Sequence, residues 1–149
     1  SCNASKGNRD STDLAGNRVD YTSRVEACLF CEAYKEREVI AENTLSYAIK
    51  DGYPVTDGHT LIIPKRHVED YFGLSTAEVS ATNQLLHLVK AQLSSSDGTI
   101  TGFNIGMNAG ISAGQTVFHC HTHLIPRRDG DVENPRGGVR HVVCGKGEY

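Results

Sequence analysis

The sequence predicts an α+β domain: a mainly antiparallel sheet of about five strands, one long amphipathic helix and one short one. Two observations carry that expectation. Short apolar runs bounded by Gly, Pro, Asn and Asp come in consecutive groups, and one long stripe of 3.6-residue period lies between the groups. A length of 149 residues, 38% of them hydrophobic, suits a single domain that builds its own core without disulfide staples.

Residues 1–20 hold only Leu14 and Val19 as branched apolar side chains. They bury too little surface to offset ordering entropy, so a mobile tail is expected ahead of a single domain over 21–149. Segments 39–43 and 45–49 read as two short strands around a turn, the first also able to extend a helix begun near Glu32. Residues 50–54 and 56–58 are turn material, and 59–63 is a strand stopped by Pro64. The long helix runs from about Thr76 to Leu93. Ser75 and Glu78 make its capping box, and Leu74 and Val79 a hydrophobic staple. Val79, Thr82, Leu86, Val89 and Leu93, flanked by Leu85 and Leu88, form the stripe that lies on a sheet, with His87 beside it as a boundary histidine. Ser94 to Gly98 ends the helix. In 100–107, Phe103, Ile105 and Met107 share one face and Gly102, Asn104 and Gly106 the other, which lets a backbone or a ligand approach closely. A small-residue loop over 108–114 leads into a strand over 115–125, and a C-terminal extension begins at about residue 127.

Charge narrows function before any motif does. Fifteen basic against eighteen acidic side chains, a net charge of −3, argue against a protein that lives on phosphate-backbone electrostatics, so no nucleic-acid partner is expected. No apolar run approaches the ~20 residues of a membrane helix, and no signal pattern is visible, so a soluble protein without a membrane partner is expected. The cysteines are Cys2, Cys28, Cys31, Cys120 and Cys144. An odd count is a poor disulfide framework, which favours a reducing cytoplasm. Cys28 and Cys31 form the one close pair, at a metal or redox spacing; two buried free thiols are the third reading.

His119-Cys120-His121-Thr122-His123 is the most informative segment. In a strand, alternate residues share a face, so all three imidazoles project together. At ~3.3 Å per residue the outer two lie ~13 Å apart, beyond the roughly 11 Å that two imidazole arms span toward one ion. Two neighbours can share a site; the third must do something else. Just upstream, Ser112, Gln115 and Thr116 supply side-chain donors, Asn108 an amide, and Gly110 and Gly114 free the backbone to present N–H groups to an anion.

The run Gly114-Gln115-Thr116-Val117-Phe118-His119-Cys120-His121-Thr122-His123-Leu124-Ile125-Pro126-Arg127 resembles the signature of the histidine-triad family of nucleotide hydrolases and transferases. The family pattern is His-φ-His-φ-His-φ-φ with φ apolar; Thr122 departs from it, with an expected effect on packing only. Asp51-Gly52-Tyr53-Pro54 and Gly58-His59-Thr60-Leu61-Ile62-Ile63-Pro64-Lys65-Arg66-His67 match in the same order, so the similarity covers about residues 27–131. The residues flanking the triad are most similar to the dinucleoside polyphosphate hydrolase branch.

The resemblance implies a HIT-like fold and a role for each matching residue. His121 would attack the α-phosphorus and form a nucleotidyl-histidine that water hydrolyses. His123 would contact phosphate, neutralising charge as an imidazolium or handing a proton to the leaving group. Gln115 and Thr116 would touch the phosphates, Asn108 the α-phosphate region, and Asp51 the ribose hydroxyls, although a turn Asp capping Gly52 is the plainer reading of Asp51. Cys28, Cys31, His67 and His119 would hold a structural zinc, which frees His121 and His123 for chemistry. Cys120 belongs to the core. Lys65, Arg127 and Arg128 are candidates for distal phosphates or for a solvated face, and a polyphosphate can arrive as its magnesium complex. The expected protein is a cytoplasmic homodimer that hydrolyses a dinucleoside polyphosphate or related adenosine nucleotide. Its alternatives are a phosphorylase or transferase using the same intermediate, and a zinc-stabilised nucleotide-binding module with little turnover.

Overall fold

The computed structural model describes residues 28–149. The tail expected over 1–20 lies outside the described residues. Helix α1 (Leu29–Glu36) precedes a hairpin of β1 (Ala41–Glu42) and β2 (Ser46–Lys50), then β3 (Thr60–Pro64), helix α2 (Thr76–Ser96), β4 (Ile100–Gly106) and β5 (Thr122–Arg128). The five strands form one antiparallel sheet in the order β1-β2-β3-β5-β4, the α+β architecture expected.

Strand periodicity splits the apolar residues between two faces. Tyr47, Ile49, Leu61 and Ile63 pack with Phe30 and Ala33 of α1. Their neighbours Ala48 and Ile62, with Leu124, pack with Leu85 and Val89 of α2. The sheet is therefore a middle layer with one helix on each face. Leu61 pairs with His123, which puts the histidine face on the α1 side.

The capping box at Ser75 and Glu78 forms, and Arg66 completes it by donating to both Glu78 carboxylate oxygens. The buried face of α2 centres on Ala81, Thr82, Leu85 and Val89; Leu88 is exposed. Ser94 to Ser96 continue the helix instead of ending it, because the terminating bond runs from the Asp97 N–H to the Leu93 carbonyl. The first expected strand shrinks to two residues: the Asn43 side chain accepts from the N–H groups of Leu45 and Ser46 and turns the chain early.

The main correction concerns residues 115–125. The ladder begins only at Thr122, so His119 and His121 are not in a strand. The backbone ahead of Thr122 bonds elsewhere: the Cys120 N–H donates to Val68 O at 2.7 Å. After β5, a 3-10 turn over Gly138–Val142 folds back onto β4. Among the described residues no helix is long and apolar enough to cross a membrane.

Candidate functional site

Cys28 is the N-cap of α1 and Cys31 lies three residues on, so both sulfurs sit at the positive end of the helix. The His119 Nδ1 lies 3.4 Å from Cys28 Sγ and 3.5 Å from Cys31 Sγ, and His67 Nδ1 lies 3.4 Å from Cys31 Sγ. All four ligand atoms fall within 4.8 Å of one another. A tetrahedron with Zn–S of ~2.3 Å and Zn–N of ~2.1 Å has S···N edges of about 3.6 Å, so the donor set and its spacing fit zinc. The proton positions fit as well. His119 Nε2 donates to the Pro64 carbonyl at 2.8 Å, which leaves the lone pair on Nδ1, facing the sulfurs. Burial pushes the Cys31 thiol up to about 12, with Cys28 beside it adding to the rise, and drops His119 to about 4. A bound cation would reverse the thiol penalty by stabilising the thiolate.

His121 and His123 follow His119 in the same segment and are not part of this cluster. A carbonyl can only accept, so the 2.8 Å contact between His121 Nδ1 and the His119 carbonyl puts the His121 proton on Nδ1. Neutral His121 therefore carries its lone pair on Nε2. The Phe30 ring meets it edge-on at 4.9 Å and the His123 ring at 5.2 Å, which fixes its plane.

His59 is the residue sequence reasoning missed. It is buried, and its Nε2 lies 2.9 Å from His123 Nδ1 and 3.4 Å from Asp51 Oδ2. The available signal was parity, since His59 shares the α1 face of β3 with Leu61 and Ile63. Asp51, His59 and His123 bring three potential metal ligands within 4.8 Å. A metal on His59 Nε2 would need that atom deprotonated, yet the Val55 N–H donates to His59 Nδ1 at 3.2 Å and forces the proton onto Nε2. The group is a hydrogen-bonded array, not a cation site. Burial lowers His59 below the usual histidine range, with Asp51 opposing. Burial, then His121 and His59, lower His123 to about 4, so His123 is neutral near pH 7.

Asp51 is mostly shielded: Oδ1 accepts from the Tyr53 N–H at 2.7 Å, and Oδ2 faces the two histidines. Gln115 is buried, with Oε1 accepting from the Gly110 N–H and Nε2 donating to the carbonyls of Glu69 and Val117. Thr116 is exposed, and half-buried Asn108 lines a cavity shared with His59 and His123. The loop differs from the expected N–H cradle. The N–H groups of Ala113, Gly114 and Gln115 bond to carbonyls of the loop itself, and that of Gly110 to Gln115. Gly110 and Gly114 instead supply the positive φ, +93° and +89°, that closes the turn.

The cations expected near distal phosphates are paired: Lys65 with Glu42, Arg127 with Asp131 and Asn104, Arg128 with Asp97. Of the two metal-capable clusters among the described residues, neither is built from carboxylates alone, so magnesium finds no dedicated ligand set there. Cys120 is buried in the core, and burial raises its thiol to about 11.

A segment that gives one histidine to a Cys2His2 cluster and lines a cavity with another defines a class of protein. The chain belongs to the histidine-triad family, with the HIT domain matched over residues 32–130. An uncharacterized HIT-like protein of Mycoplasma genitalium is 36% identical over 108 residues, 68% of this chain and 73% of the relative. The AP-4-A phosphorylase of Mycobacterium tuberculosis is 38% identical over 102 residues, 66% of this chain and 50% of the relative. A Zn-bound histidine triad family protein from Mycobacterium smegmatis shares the fold at TM-score 0.66 and 34% identity, covering 73% of this chain and 81% of that one. The family thus includes nucleotide-processing enzymes.

Proposed function

We propose that this chain hydrolyses a dinucleoside polyphosphate or related adenosine nucleotide at the α-phosphate, through a covalent nucleotidyl-histidine on His121. The observation that supports the reading most is the bond from His121 Nδ1–H to the His119 carbonyl, because it leaves an unprotonated Nε2 in a half-buried site. That lone pair attacks phosphorus, the bond to the leaving oxygen breaks, and water then cleaves the P–N bond to release the nucleoside monophosphate. His123 contacts the reacting phosphate through its Nε2–H. Asp51 takes the ribose hydroxyls on the lone pairs its inward contacts leave. Asn108 and Thr116 approach the phosphates from the loop, and Gln115 does so by exchanging one of its amide bonds.

Cys28, Cys31, His67 and His119 would hold zinc, and a zinc closed by four protein ligands supplies a cross-link, not catalysis. Its ligation of His119 would fix the carbonyl that orients His121. β4 is a sheet edge with Ile105 and Met107 exposed, and a homodimer formed by extending the sheet across two chains would cover it.

The likeness to AP-4-A phosphorylase favours one second reading, in which inorganic phosphate replaces water as acceptor. The test is turnover of diadenosine polyphosphates with and without added phosphate, by the native chain and by His121→Ala. Hydrolysis by the native chain without phosphate, and a loss of at least ~10³-fold in the folded, nucleotide-binding variant, are expected. Normal turnover by His121→Ala overturns the covalent mechanism; strict dependence on phosphate selects the phosphorylase.

A further inference from the structure

The C-terminal extension and the small-residue face of β4 enclose a cavity of about 710 Å³, within the roughly 300–1,000 Å³ of small-molecule sites. Its floor is one face of the β4–β5 ladder, where Gly106 pairs with His123 and Asn104 with Ile125. Its far wall is Val139, His141 and Val142 of the extension. Gly138 sets that wall over β4, since a Cβ on it would stand 3.6 Å from Asn104 Nδ2. The wall is held in place by the residues that follow it. Arg136 and Arg140 stack on the Tyr149 ring, their guanidinium carbons 4.8 Å and 5.1 Å from its centroid. Arg140 Nε donates to the Gly147 carbonyl at 3.2 Å, and His141 Nε2 to the Arg136 carbonyl at 2.8 Å. Gly147 is buried against Gly137 and the His141 ring; a Cβ on Gly137 would strike the Gly147 carbonyl, and one on Gly147 the imidazole. Histidines apart, only Arg127 and Asp131 bring charge to the lining, and they pair through two 2.8 Å bonds.

We propose that this cavity is a subsite for the second nucleoside of a dinucleoside polyphosphate, and that the C-terminal extension makes the chain select dinucleotides over mononucleotides. The proposal deepens the hydrolase reading and rests on it. Position is the first argument. The lining includes His123 and Asn108, assigned above to the phosphates, but neither Asp51 nor His121. The nucleotidyl half, held by its ribose at Asp51, therefore lies outside the cavity, and the leaving half is what enters past His123. Charge is the second. A bare polyphosphate tail needs unpaired cations, yet the guanidinium of Arg127 is spent on Asp131 and on Asn104 Oδ1. A base and its ribose carry no charge and bring broad faces. Val55, Val139 and Val142, exposed by 68%, 59% and 79%, lose that exposure to a seated nucleoside, and Asn104 Nδ2 offers donors to its polar edge. Room is the third. Gly106 leaves the floor open beside His123, because a Cβ there would meet nothing within 4 Å, and a longer side chain would project into the space the nucleoside takes.

The test compares diadenosine tetraphosphate with adenosine 5′-tetraphosphate, which differ by the second adenosine alone. kcat/KM is measured on the full chain, and Kd on full-length His121→Ala, which binds without turning over. A preference of about tenfold or more for the dinucleotide is expected in both measures, from the apolar surface the second nucleoside covers. Two variants attack the subsite from different directions. Gly106→Leu fills its floor, and Gly147→Val, outside the cavity, drives a side chain into His141 and unseats the wall. Each is expected to bring the ratio of the two nucleotides within about twofold of one, the statistical factor for a substrate with two equal ends. Equal kcat/KM and Kd for the two nucleotides in chains with the native subsite, or a preference that survives both variants, overturns the proposal. If the native chain turns over neither nucleotide, the hydrolase reading falls, while the two Kd values still decide whether a second nucleoside is held.

Discussion

At the scale of single residues, the site is organised by protons that have only one place to go. A carbonyl fixes His121, another fixes His119, and a backbone N–H fixes His59 and through it His123. The arrangement also links stability to pH. Burial lowers both His59 and His123 in the folded chain, whereas an exposed histidine in the unfolded chain titrates near 6.5. Between about pH 6.5 and 4 the unfolded state binds more protons, so the contribution of His123 is complete above pH 6.5 and is lost as pH falls toward 4. Urea midpoints measured at pH 7, 6 and 5 are expected to decline in that order, and to decline less in His123→Asn. An equal decline in the variant would show that other groups carry it.

At the scale of elements, α2 and the central strands were legible because their periods differ: 3.6 for the stripe from Val79 to Leu93, and 2 for Tyr47 to Ile49 and Leu61 to Ile63. The Ser75 and Glu78 cap was legible because its partners are three residues apart. The histidine segment was not, because the groups that hold its backbone and its first imidazole, Val68 O and Pro64 O, lie more than fifty residues away. Without a ladder the alternation is partial: Cys120 and Thr122 are buried and His121 and His123 half-buried, while His119, expected on the face of the other two histidines, is buried against the sulfurs of Cys28 and Cys31. His59 escaped notice because its role depends on the β3–β5 register, which no local pattern reports. Leu85 is 2% exposed and bridges α2 to Ala48, Ile62 and Leu124 of the sheet. Leu85→Ala is expected to cost about 2–5 kcal/mol in chemical denaturation, by lost burial and the cavity left behind. A change below 0.5 kcal/mol, about what a surface site gives, would place the core elsewhere.

At the scale of the whole molecule, the Cys28, Cys31, His67 and His119 cluster joins α1, the turn after β3 and the histidine segment, contacts spanning up to 91 positions of sequence. Cys-x-x-Cys spacing alone could not separate metal, redox and inert thiols. The fact that favours a metal is tertiary, two imidazole Nδ1 atoms brought close to the two sulfurs. If zinc is held a thousandfold above its dissociation constant it contributes about 4 kcal/mol, or roughly 10 °C in Tm at this chain length. Chelation is expected to produce that fall, zinc to reverse it, and metal analysis to return one zinc per chain that is lost in Cys31→Ser. A chelator-insensitive Tm in a zinc-free preparation would assign the four residues to the core.

The central claim is that His121 Nε2 becomes bonded to phosphorus. The direct measurement is mass spectrometry of the full-length chain quenched in alkali within one turnover of a diadenosine polyphosphate, followed by peptide mapping. One adenylyl group per chain, on the peptide carrying His121 and absent from His121→Ala, is the result expected. Turnover with no adduct at any quench time, or an adduct on a different residue, would contradict it.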